Sequence, residues 1–305
     1  MEKVYSVFFY QKFNCLSVQE KGVILSIYDQ FKDMFYLKKG IKDGYHISFN
    51  GFCSKKDAEM VAKNLEENIN MPDFDEDEYH RLFSKISDPN YTGVCNKNKI
   101  CITEEKLPKN FQNMSQYLLY RDMSIALDSI FINKYFEKNK LQIVYDFINL
   151  EYKNYDSSKM YNSHLSHLWA YISNLNLENQ IKFKKLLSEK LSEINEKELI
   201  FNPESEILKQ FSERIKFMIS QKEIDFFSPS TLSKATTSRF ASPEHKNTIK
   251  LADEYKYDKD IITNRWFLNL LYEKLLLLNF NILDKYTLNY IFGVKDSNSG
   301  LLDRF

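Results

Sequence analysis

Residues 260–278 read Asp-Ile-Ile-Thr-Asn-Arg-Trp-Phe-Leu-Asn-Leu-Leu-Tyr-Glu-Lys-Leu-Leu-Leu-Leu, and no other stretch constrains the fold as strongly. Apolar side chains cover most of the circumference at helical spacing, which predicts a packed helix over Ile261 to Leu278. One polar stripe interrupts it. Arg265, Asn269 and Glu273 are four apart and share a face, with Tyr272 three on from Asn269 beside them. Polar groups on such a helix are costly if buried without partners. The residues alone leave two readings, a solvated edge or the wall of a polar pocket. The apolar part, Phe267 to Leu278, holds Asn, Glu and Lys and is too short to span a bilayer, so no membrane insertion is expected.

The 305 residues suit one large domain or two small ones. We expect a single domain over 1–305, β-rich to about residue 110 and helical from about 111 onward. Its 42 basic and 42 acidic side chains cancel, which argues against a general nucleic-acid binder. Twenty Tyr and 24 Phe against seven Gly and six Pro favour long helices and aromatic strands over a loop-rich scaffold. Cys15, Cys53, Cys95 and Cys101 form no C-x-x-C pair, and no Cys/His set has zinc spacing. Free thiols, an N-terminus without a cleavable signal and the lack of a spanning helix predict a cytoplasmic protein.

Val4 to Phe13 is β-branched and aromatic and predicts a strand. Ser17 to Lys32 has helical spacing. Met34–Leu37 and Tyr45–Phe49 bracket turn residues Gly40 and Asp43-Gly44, hence a hairpin. In its second arm Tyr45, Ile47 and Phe49 point one way, His46 and Ser48 the other. A helix follows from Ser54, a candidate N-cap, to Asn70. The acidic run Asp73 to Glu78 lacks calcium-loop periodicity and reads as solvated. Residues 91 to 103 predict a short hairpin, and helical patterns run over Ser124 to Tyr152 and Glu204 to Lys222. Asn176 to Asn195 is amphipathic, with Leu177, Ile181, Leu187, Leu191 and Ile194 as its expected buried face. Ser228 to Pro243 is a Ser/Thr/Pro-rich loop of the kind that often carries function. Helices over Lys246 to Tyr255 and Asp284 to Phe292 complete the chain, with Asp284 as the expected N-cap of the last.

His164 and His167 lie three apart in Ser-His-Leu-Ser-His-Leu-Trp, on one helix face. Without an H-E-x-x-H pattern, a structural or substrate-contacting role outweighs metal binding. No phosphate-cradling Gly loop, G-x-S-x-G or strand-borne GxGxxG is present, so nucleotide and dinucleotide chemistry is unsupported. Ser242-Pro-Glu-His245 is helix-start grammar for its first three residues. His245 is not explained that way, because a helix N-terminus disfavours an imidazolium; a neutral proton-transferring imidazole is the functional reading.

The opening strand Tyr5–Phe13, the hairpin Phe35–Phe49, the central Tyr161–Trp169 segment and Thr263-Asn-Arg-Trp266 occur in that order. Together they resemble the C-terminal elimination-type domain of lantibiotic dehydratases and its stand-alone relatives in thiopeptide biosynthesis. The resemblance implies an α+β fold, an antiparallel sheet flanked by helices. Glutamate-eliminating members carry hairpin arginines and a histidine ahead of Asn-Arg; here stand Lys38, Lys39 and Ser48, and Asp260 or Ile261. Their Glu-x-x-Arg-Tyr-Gly-Gly motif is also missing, with Leu118–Met123 standing nearby. The Ser242–His245 turn, Trp266–Tyr272 with Leu275–Leu278, and Asp284-Lys-Tyr286 look closer to the other branch, the thiopeptide pyridine synthases.

That branch implies a formal aza-cycloaddition of two dehydroalanines in a modified precursor peptide, with water and then the leader expelled to leave a pyridine. The alternatives are glutamate elimination and a non-catalytic leader-binding scaffold. The resemblance implies no metal and no organic cofactor. Its partners are the leader-bearing precursor, seated near the N-terminal sheet, and other enzymes of the pathway. Tyr272, His245 and Asn269 are the expected catalytic groups. Arg265, Ser242, His167, His46 and Ser48 are the expected substrate contacts.

Overall fold

The structure is a computed structural model. It describes residues 2–11, 16–40, 44–69, 77, 81, 100–138, 140–152, 161–173, 175–194, 206–226, 228–229 and 254–294. Among these are a four-stranded antiparallel sheet and nine α-helices, an α+β fold with helices packed against the sheet. The chain divides into two compact units, 1–109 with 113–136, and 110–112 with 137–305.

In the first unit the order is β1 (Lys3–Tyr10), α1 (Val18–Phe31), β2 (Phe35–Gly40), β3 (His46–Cys53), α2 (Lys55–Asn68), β4 (Ile100–Glu105) and α3 (Met114–Phe131). The sheet order is β2-β3-β1-β4. Val7 pairs with Phe49 and Ile102, and Leu37 with Phe49, so the apolar residues of neighbouring strands share a face. Phe9, Phe35, Leu37, Ile47 and Phe49 are all buried, and α2 adds Ala58, Val61 and Leu65 at helical spacing. Local grammar starts both helices. Ser17 with Glu20 and Ser54 with Asp57 form reciprocal capping boxes, satisfying donors that the first turn leaves open.

The register also explains a glycine. Gly40 pairs with His46, and a Cβ on Gly40 would lie 2.4 Å from His46 Nε2. The imidazole occupies the room a side chain would need. The buried carboxylate of Asp128 in α3 accepts from the backbone N–H of Leu37 in β2 at 2.7 Å and from the Tyr135 hydroxyl at 2.5 Å.

The second unit holds α4 (Leu141–Glu151), α5 (Tyr161–Ile172), α6 (Leu177–Leu191), α7 (Glu206–Ser220), α8 (Lys259–Leu277) and α9 (Ile282–Val294). Helix α9 packs on α5 and α6, and α8 on α7. Leu168, Ile172, Phe183 and Leu187 form a buried cluster, flanked by Leu283, Tyr286 and Tyr290 of α9. At Gly293 the approach of α9 to α5 is close, since a Cβ there would meet Leu165 side-chain carbons at 3.0 Å.

Three expectations are corrected. The helix expected from Ser124 begins at Met114, because the Asn113 side chain caps it by accepting from Gln116 N; it stops at Phe131, and the next starts at Leu141. Leu177 and Ile181 are not buried but 73% and 61% exposed, because the core-facing edge of α6 runs through Phe183 and Leu187. Asp284 is not the N-cap of the last helix. Asn281 Oδ1 accepts from Asp284 N at 2.8 Å and Asp284 Oδ2 accepts from Asn281 N at 3.1 Å, which puts Asn281 at the cap and Asp284 three residues in. All of the acidic run but Asp77, the first arm of the 91–103 hairpin, nearly all of the Ser228–Pro243 loop and the Lys246–Asp253 part of the expected helix lie outside the described residues.

Candidate active site

In the second unit the polar stripe of α8 meets side chains from three other elements. Tyr272 is half-buried, and its hydroxyl donates to Asn289 Oδ1 on α9 at 2.6 Å. His164 Nδ1, on α5, lies 2.9 Å from the same oxygen. An amide oxygen only accepts, so Nδ1 carries the proton and Nε2 is left to accept from the hydroxyl of Tyr152, which follows α4. The result is a chain Tyr152–His164–Asn289–Tyr272 with its middle members fully buried. Phe292 encloses the imidazole, with its ring centroid 5.5 Å from those of both His164 and Tyr152.

The rim is different in character. His167 stands edge-on to the Tyr272 ring at 5.1 Å, and Lys285 Nζ lies 4.5 Å from the centroid of that ring. Both are half-buried. Asn289 spends its oxygen on two donors while its Nδ2 has no partner among the described residues. That leaves a fixed amide donor next to a fixed phenol.

Charge in this cluster is suppressed. Burial holds the His164 pKa down at about 4 against a hydrogen bond to Asn289 that raises it, so the ring is neutral near pH 7. Burial raises the Tyr272 phenol above its ordinary range, with Asn289 acting in the other sense, and burial lowers the Lys285 ammonium. Tyr272 is therefore a neutral hydroxyl near pH 7.

A pH dependence of stability follows. The folded pKa of His164 lies below the ordinary 6.5, so between those values the unfolded chain binds more protons. The neutral-ring contribution is complete above about pH 6.5 and is lost as the pH falls toward about 4, on the order of 3 kcal/mol for this group. Glu151 runs the opposite way, burial raising its pKa to about 7. Urea unfolding of wild type and His164→Gln from pH 7.5 to 4 isolates the histidine: the stability difference should narrow as the pH falls. A constant difference would show that His164 does not titrate in this way.

The residues named from sequence are distributed as follows. Tyr272 and His167 are brought together. Asn269 lies half-buried one turn before Tyr272. Arg265, two turns back, faces the Phe226 ring instead. His46 and Ser48 belong to the sheet of the first unit. His46 Nδ1 donates to Gly44 O at 2.9 Å, and Ser48 Oγ accepts from Asn50 Nδ2 at 2.9 Å. His245 and Ser242 lie outside the described residues. The sequence reading missed Asn289, Lys285 and Tyr152. Asn289 gave one faint signal, an amide in the otherwise largely apolar run Tyr-Thr-Leu-Asn-Tyr-Ile-Phe.

Among the described residues no group of three or more His, Cys, Asp or Glu could hold a metal ion, and no helix is long and apolar enough to cross a membrane. No protein-family profile and no curated protein matches the sequence. A solved structure described as "Pyridine synthase, TbtD, from thiomuracin biosynthesis" superposes over 97% of this chain and 99% of that one, at a TM-score of 0.38 and 10% sequence identity. A likeness this loose carries no weight for the chemistry, which rests on the residues above.

Proposed function

We propose that the chain is a cofactor-independent cyclase of the pyridine synthase type, acting in the cytoplasm on a dehydrated peptide that still carries its leader. One observation supports this most. A neutral phenol and an unspent amide donor are held side by side by the buried Tyr272–Asn289–His164 chain, with His167 and Lys285 at the rim. The ordered resemblance of the sequence motifs to that branch agrees with it.

Joining two dehydroalanines into a six-membered ring requires one amide in its imidic-acid form. A proton leaves the amide nitrogen and one reaches the carbonyl oxygen. Tyr272 is the proposed proton donor to that oxygen, with His167 the nearby base. Asn269, half-buried one turn before Tyr272, is the proposed group that orients a carbonyl, and the buried Asn289 holds the Tyr272 hydroxyl in position. Alignment of two tethered alkenes supplies much of the acceleration, since well-oriented intramolecular pairs gain roughly 7–11 kcal/mol. His245, Ser242, His46 and Ser48 keep their proposed roles from sequence.

The test is incubation of the purified protein with a dehydroalanine-containing azole peptide bearing its leader. Mass spectrometry should show the macrocycle and the released leader. Elimination of glutamate from a glutamylated serine would replace this reading with the dehydratase one. Binding without turnover would leave only a scaffold.

A further inference from the structure

Arg265 has an acidic neighbour in its field, Asp225, but the Oδ1 of that carboxylate accepts from Ser228. The Arg265 guanidinium carbon lies 4.3 Å from the centroid of the Phe226 ring. Nη1 is buried and donates to no partner among the described residues. A buried charge left unpaired is costly, and such groups are ordinarily matched by a carboxylate or a ligand.

Hydrogen bonds hold the segment that carries the ring. Phe226 N donates to Lys256 O at 3.0 Å. Ser228 Oγ donates to Asp225 Oδ1 at 3.1 Å and accepts from Asp225 N at 3.3 Å, closing the turn that carries the ring. Lys216 and Asp260, 3.3 Å apart, tie α7 to the first turn of α8. Stacking on one face leaves the in-plane N–H edge of a guanidinium as its means of recognition, and that edge matches a carboxylate in bidentate fashion.

We propose that Arg265, stacked on Phe226, is a binding site for a single carboxylate on a peptide ligand. A monoanion fits better than a phosphate dianion, because Asp225 already places one negative charge in the field of Arg265. Burial pulls the Arg265 pKa down to about 9, with Asp225 acting against that, so the group remains charged at neutral pH. The site does not depend on the cyclase reading.

The probe is N-acetylglycine, a minimal peptide carboxylate, with N-acetylglycinamide as its neutral counterpart and inorganic phosphate as the competing anion, all at constant ionic strength. Thermal melts of the full chain report binding through stabilisation of the folded state. N-acetylglycine should raise the melting temperature saturably, the amide should not, and phosphate should act at least tenfold more weakly. Arg265→Gln should abolish the response, while Phe226→Leu, which keeps the charge and removes the stacking ring, should weaken it several-fold. Equal responses to acid and amide, or an unchanged response in Arg265→Gln, would overturn the site. A stronger response to phosphate would overturn the carboxylate assignment. If Arg265→Gln fails to fold, the Phe226→Leu response and the acid-against-amide contrast in wild type still decide. Loss of this site with peptide turnover intact would leave the cyclase proposal standing.

Discussion

Tyr272→Phe is expected to lower turnover by roughly 10²–10⁴-fold, the usual range for removing a proton-transferring group, with little change in stability. Asn289 Oδ1 keeps its second donor, His164 Nδ1, at 2.9 Å, so no acceptor is stranded. The lost hydrogen bond itself costs about 0.5–1.5 kcal/mol. The ring stays and so do its contacts with His167 and Lys285. Initial rates and melts on the same samples separate the cases. Unchanged turnover would remove Tyr272 from the chemistry. A loss of rate that tracks a loss of fold would make it a structural residue.

Asp128→Ala should give the largest loss of stability, about 3–5 kcal/mol. The carboxylate is fully buried and serves two donors, Leu37 N and the Tyr135 hydroxyl. Removing it strands both, at about 1–3 kcal/mol for each unsatisfied group, and leaves a void. Asp128→Asn, which keeps the volume and one acceptor oxygen, should lose less. Hydrogen exchange at the Leu37 amide gives a local readout. Its protection should fall in Asp128→Ala more than that of other β2 amides, and uniform loss along the strand would point to general unfolding instead.

Much of the architecture is legible because it is set by neighbours in sequence. Ser17 and Ser54 start helices through partners three residues on, Glu20 and Asp57. The alternation of Ile47 and Phe49 with His46 and Ser48 gives the faces of β3, and the apolar density of residues 261–278 gives α8. Where competing local signals exist, the reading slips by a few residues. Asn281 and Asp284 are both good caps, and the capping box uses both, so composition alone does not assign which is first.

The site is another matter. The residues alone leave the stripe Arg265–Asn269–Tyr272 as a solvated edge or a pocket wall. Tertiary packing divided it, sending Arg265 to Phe226 and Tyr272 to Asn289. The same applies to Leu177 and Ile181, which share the hydrophobicity of Leu187 but face outward, because helix packing chooses one apolar edge of α6 and leaves the other. His164 and Asn289 are 125 residues apart, and nothing in either segment announces the other. Local propensities act within a turn of helix or a pair of strands, so the sequence alone determined caps, periods and element types. Which polar side chains share a buried oxygen depends on how α5, α8 and α9 approach, and that is decided only when their apolar faces are packed together.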